Sequence, residues 1–144
     1  MLKQSDILKA VRAELKRHYP STPVYLNEAT EGAAIPAFVI ELVTTASPDG
    51  CRTLNICTLH INYIDQPRKQ NALALYDIRD QINASFAHGF QVADRYIHVS
   101  SVASSITTDE ANMVQTDIPF QYYDAPEEQQ PEWLIEHIYN NIHS

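Results

Sequence analysis

Glycine is scarce in this chain: Gly32, Gly50 and Gly89 are all it has in 144 residues. None stands in a G-x-G-x-x-G or G-x-x-x-x-G-K-[ST] context, so the backbone cradles that hold dinucleotides and nucleoside triphosphates are excluded. Cysteine is rarer still, with two. Cys51 and Cys57 fall in what reads as one extended strand, roughly 20 Å apart at about 3.3 Å per residue. Disulfide Cα atoms lie within about 7 Å. With no C-x-x-C pairing, both are read as small buried hydrophobes rather than redox or metal groups. Apolar runs of about 18 residues are missing, and the N-terminal MLKQSDILKAVRAELKR is amphipathic without a signal-peptide core. Neither a membrane span nor secretion is indicated, and the expected address is cytoplasmic.

Catalytic patterns are missing too. The six histidines show no H-x-H or H-E-x-x-H spacing, so they read as structural or exposed side chains, with His60 and His98 within reach of each other only across strands. Asp77 and Asp80 lie one helical turn apart beside Arg79, which fits an exposed, salt-bridged helix face better than a general acid and base. Ser104 and Ser105 lack the G-x-S-x-G setting of a nucleophile. No metal, cofactor or catalytic residue is assigned.

One further absence is positional. All ten Lys and Arg lie in residues 1–95 against ten acids, whereas residues 96–144 hold eight acids and no Lys or Arg, so the net charge of −8 belongs wholly to the C-terminal third. Such a segment repels phosphate and disfavours nucleic-acid binding there. The cations of the first helix, including Arg12 and Lys16, are suited to an acidic neighbour, although a solvated helix face explains each of them singly.

What the chain does have is the material of one globular domain. Its 44% hydrophobic and 19% charged residues are ordinary for a soluble protein. Its length suffices to bury about two thirds of the unfolded surface. SDILKAVRAELKRHYP predicts a helix capped by Ser5 or Asp6, with Ile7, Leu8, Val11, Leu15 and Tyr19 on one face and Pro20 as its stop. Short strands follow at 24–26 and 37–44. SPDG at 47–50 signals a turn, and RTLNICTLHINYID at 52–65 completes a long β-hairpin with a polar tip. In that last strand Cys57, Leu59, Ile61 and Tyr63 share one face, while Leu54 and Ile56 suggest burial of the other face near the tip. A second helix runs from after Pro67 to about Ala87 on a stripe of Leu75, Ile78, Ile82 and Phe86. Strands at 95–107 and 111–123 come next, the latter alternating cleanly through Val114, Thr116, Ile118, Phe120 and Tyr122. The polar stretch APEEQQPE leads to a short C-terminal helix with Trp133, Leu134, Ile138 and Ile142 on its apolar side. The expected fold is α+β, two helices on a mostly antiparallel sheet, with a domain over 1–125 and a linker and helix over 126–144.

A helix like SDILKAVRAELKRHYP, then VYLNEATEG, then PAFVIEL, a long strand and a helix like ALYDIRDQI resembles the small tail-terminator, or tail-completion, proteins of phages and of phage-like contractile particles in Gram-positive bacteria. The likeness covers roughly residues 5–123 and is most specific at Tyr25, Glu28, Gly32, Pro36 and Phe38. Two departures stand out: Glu31 precedes Gly32 where the family commonly has Gln-Gly, and the helix after Pro131 looks like an addition.

The resemblance implies a structural subunit without an active site. Such a subunit forms a ring, usually hexameric, on the last layer of the tail tube, ends its polymerisation, and offers a docking surface to the head connector. The partners implied are the chain itself, the tube protein, and the sheath and connector proteins. DNA passes through the ring without specific recognition, assembly takes place in the host cytoplasm, and the product sits in the particle tail. On this reading contacts between subunits fall at Arg12 and Lys16, at Glu28 and Glu31 of the loop, at Asp49 and Arg52 of the hairpin tip, and at Trp133 and Ile138. A neck or head-tail joining protein of the same particle, and a small cytoplasmic enzyme with dispersed catalytic residues, are the alternatives.

Overall fold

The computed structural model describes residues 2–28, 34–66, 72–108 and 112–125. Helix α1 (Gln4–His18) buries Ile7, Val11 and Leu15, and α2 (Ala72–Phe86) buries Leu75, Ile78, Ile82 and Phe86. Both stripes follow the spacing that puts every third or fourth residue on one side of a helix. The start of α1 differs from expectation. Lys3 occupies the cap position with no side-chain cap bond, and the Lys3 carbonyl accepts from the Asp6 and Ile7 amides instead. Ser5 and Asp6 are therefore inside the first turn, where Asp6 still faces the positive helix end favourably.

The strands are β1 (Val24–Leu26), β2 (Ala37–Asp49), β3 (Arg52–Asp65), β4 (Phe90–Val92), β5 (Arg95–Ile97), β6 (Ala103–Thr107) and β7 (Asn112–Asp124). Five form one sheet in the order β1-β2-β3-β7-β6, and β4 and β5 form a separate small hairpin. All pairings are antiparallel except β1 with β2, which run parallel, so the sheet is mixed. The long hairpin is longer than its apolar pattern suggests. β2 continues through Thr45 and Pro48 to Asp49, because each of its residues has a partner on β3, down to Asp49 opposite Arg52. Gly50, at φ 64, takes the first place of the two-residue turn, where hairpins that match the sheet twist require a left-handed residue.

Where sequence reading expects one strand over 95–107, the chain makes two. β5 turns back on β4, β6 joins the main sheet beside β7, and Val99 bridges to Phe120 between them. Gly89 lets this happen. At φ 125 it lies so close to the returning strand that a Cβ would sit 2.2 Å from the Ile97 carbonyl oxygen. The hairpin then fills the end of the core. Phe90 packs edge-on against Phe86 at 5.6 Å and Phe120 at 5.7 Å between ring centres.

Both helices lie against one face of the sheet, with Phe38 and Ile40 of β2, Leu59 and Ile61 of β3, and Val114 and Ile118 of β7 fully buried beneath them. Each such side chain contributes about 1.5–3 kcal/mol by leaving water. The opposite face carries no helix among the described residues. Ile56 is accordingly 48% exposed and Val43 50% exposed. Burial of both faces near the tip, expected from Leu54 and Ile56, does not occur: β3 is buried on one side along its whole length.

Cys57 is buried, its thiol pushed above the usual range by burial, but Cys51 is exposed in the hairpin turn. The expected burial of both cysteines fails at Cys51 because the turn, with Asp49 opposite Arg52, falls two residues later than SPDG at 47–50 indicates. The proposed C-terminal helix lies outside the described residues.

Candidate interaction surfaces

The half of the sheet nearest the hairpin tip is open on two sides. On its outer edge, β1 covers only Phe38, Val39 and Ile40 of β2, so from Glu41 to Asp49 that edge has no strand partner among the described residues. On its helix-free face the register sets side chains in rows across three strands. Val43, Thr58 and Pro119 form one, Thr45, Ile56 and Gln121 the next, and Ser47, Leu54 and Tyr123 the one nearest the tip. Side chains on one face repeat every second residue, so these rows are neighbours and join Val43, Ile56, Pro119 and Tyr123 into an apolar patch ringed by hydroxyls and amides. A groove of about 630 Å³ continues the patch past β7 to His98, Val99 and Ser100. Pro119 sits past the end of the β6 pairing, which reaches only as far as Asp117.

Charged groups at the tip are held rather than loose. The Arg52 guanidinium stacks over the Tyr123 ring at 3.9 Å and stands 3.6 Å from the Asp49 carboxylate. Behind them Asp124 joins three distant parts of the chain. Its carboxylate accepts the Leu2 amide at 3.1 Å, the Asn55 side-chain amide at 3.2 Å and the Arg95 guanidinium at 3.2 Å. Arg95 also donates to the Tyr123 carbonyl at 2.8 Å. Sequence reading missed Asp124 and Arg95, because nothing local distinguishes an acid at a strand end that recruits partners from 29 and 122 residues away.

Further along the open face, His60 donates from Nδ1 to Asp117 at 2.6 Å, with Glu41 next in the same row. His98 packs against Tyr96 at 5.1 Å. No group of three metal-binding side chains occurs among the described residues. Arg79 pairs with Asp80 at 2.9 Å on the exposed side of α2, and the Ser104 hydroxyl meets that of Thr116 at 3.1 Å. Both are interactions within the fold.

Of the expected contact residues, Asp49 and Arg52 come together at the tip. Arg12 and Lys16 stand one turn apart on α1, and Glu28 lies just past β1. Glu31, Trp133 and Ile138 lie outside the described residues, as does Gly32. Near that loop, Tyr25 accepts the Ala34 amide at its hydroxyl at 3.2 Å, and the Ile35-Pro36 peptide is cis. The acidic C-terminal third does not form one charged face among the described residues: Asp117 is paired with His60 and Asp124 points inward to its three donors.

The fold and its one-sided sheet can be compared with known proteins. A family model described as phage tail terminator protein matches residues 6–132. The chain belongs to the phage tail terminator protein family, a structural rather than enzymatic class whose members associate with the tail tube and cap it. One solved structure shares the fold with a TM-score of 0.52 at 16% identity, over 90% of this chain and all of the other. At that identity the likeness speaks for the fold alone. Among curated proteins none matches. No helix among the described residues is long and apolar enough to cross a membrane.

Proposed function

We propose that this protein caps the tail tube as a ring of copies, usually six in this family, that ends tube polymerisation and presents the docking surface for the head connector. The observation that supports this most directly is the uncovered half of the sheet. A strand edge open from Glu41 to Asp49 beside an apolar patch is a liability in an isolated molecule and an asset in one that packs against copies of itself. The tip, with Asp49 and Arg52, reaches the neighbouring copy or the tube. Arg12, Lys16, Glu28 and Glu31 flank the other side of the contact, in a head-to-tail arrangement that closes when the rotation permits. The sheath lies within reach of the ring's outer surface.

Light scattering tests this. The expected result is a rise from monomer to a closed ring with concentration, or on addition of purified tube protein. A strict monomer under both conditions overturns the ring.

A further inference from the structure

On the flank of α1 that faces the β1 edge, Ser5, Leu8, Lys9 and Arg12 share one side of the helix and, with Leu26, enclose a groove of about 140 Å³. Its floor is apolar: Leu8 is half-buried and Leu26, at the end of β1, is 48% exposed. Its rim is cationic, and neither Lys9 nor Arg12 is paired with a carboxylate among the described residues. An apolar slot with two such cations on its lip fits a segment that carries a large apolar side chain and acids close by, and no basic residue.

Residues 126–144 have that composition. Glu127, Glu128, Glu132 and Glu136 surround Trp133, Leu134 and Ile135, with no Lys or Arg. The family match ends at residue 132, so the apolar residues of this segment, from Trp133 onward, lie beyond it.

The point of departure is also right. The Asp124 carboxylate holds the Leu2 amide at 3.1 Å, so the chain leaves β7 beside the start of α1. Lys9 is about 10 Å further along the helix at about 1.5 Å per residue. The chain from Ala125 to Trp133 spans at most roughly 29 Å when extended. A tether of that length gives a local concentration in the millimolar range, far above that of a second molecule in dilute solution.

We infer that the C-terminal segment of each chain folds back along its own α1, seating Trp133 between Leu8 and Leu26 and setting its glutamates against Lys9 and Arg12. An isolated subunit then covers the basic flank that a neighbour would meet in the ring. The docking itself does not depend on ring formation, and it can be tested in the monomer.

Trp133 is the single tryptophan of the chain, so its fluorescence reports this contact without labelling. In the full chain, diluted to monomer, its emission should be shifted to the blue of a synthetic peptide of residues 126–144. Its quenching by acrylamide should be severalfold weaker. Leu26→Ser and Arg12→Glu, two exposed positions whose folding is checked by circular dichroism, should each move both readings toward the free peptide. Val43→Ser on the open sheet face should not. Peptide-like emission in the monomer overturns the proposal. So does a blue shift that grows only with concentration, which assigns the segment to a neighbour's groove, or one that survives both groove substitutions, which places it elsewhere.

Discussion

Asp124 shows how much of this fold hangs on single polar contacts. Its carboxylate is largely shielded and receives donors from the N-terminus, β3 and β5. Removing it leaves the Asn55 side-chain amide and the Leu2 amide without this acceptor and the Arg95 guanidinium with the Tyr123 carbonyl alone. Asp124→Ala should therefore lower stability by about 2 kcal/mol, within the range for hydrogen bonds to a charged group, and Asp124→Asn by less, because it keeps one acceptor oxygen. Urea denaturation of both variants measures the difference.

Two tyrosines make a second prediction. Burial, with Asp65 beside it, pushes the Tyr63 hydroxyl to about 12, and burial with Cys57 and Asp124 nearby does the same for Tyr122, against an ordinary value of 10.0. A raised folded value means the unfolded chain gives up the proton first. Stability from these groups is complete below pH 10 and falls between pH 10 and about 12. Replacing both by Phe should flatten that alkaline decline in unfolding midpoints measured at pH 9 and pH 11.

Among elements, the 37–65 hairpin and the β4-β5 hairpin divide the work of exposure and closure. The small hairpin completes the core, through Phe90 and Ile97. The long one extends its edge past β1, and the part beyond Glu41 is polar or only partly buried. Shortening the tip between Thr45 and Thr53 should leave the helical and strand signal of circular dichroism in place while abolishing capping of purified tube. Capping at the parental level would remove the tip from the contact. The alternation of β7 and the apolar stripes of both helices were legible in the sequence, because each is a local periodicity. The division of 95–107 into β5 and β6 was not, since it turns on Gly89 approaching Ile97 and on Val99 finding Phe120, both contacts across the fold.

For the whole molecule, the question is what holds copies together. Exposed ion pairs contribute about 0–1 kcal/mol each, so affinity has to come mainly from the apolar patch of Val43, Ile56, Pro119 and Tyr123. Raising salt should weaken association only modestly. Arg12→Glu with Lys16→Glu, which replaces attraction by repulsion, should weaken it further, as read from sedimentation equilibrium at low and high ionic strength. Equal association of the double variant at low salt would place the basic flank outside the contact.

By itself the sequence determined the helices, the long hairpin and the alternating last strand, because burial of one face imposes a period on nearby residues whatever lies opposite. Its VYLNEATEG and PAFVIEL stretches also pointed to the family that the comparison shows. Only the tertiary structure decided which residues meet. It set β1 parallel to β2, drew Asn55, Leu2 and Arg95 onto Asp124, left Ile56 in the open and turned Cys51 outward. Periodicity tells a side chain which face it is on. Whether that face is covered depends on where the helices come to rest, and here both settle on the same side of the sheet.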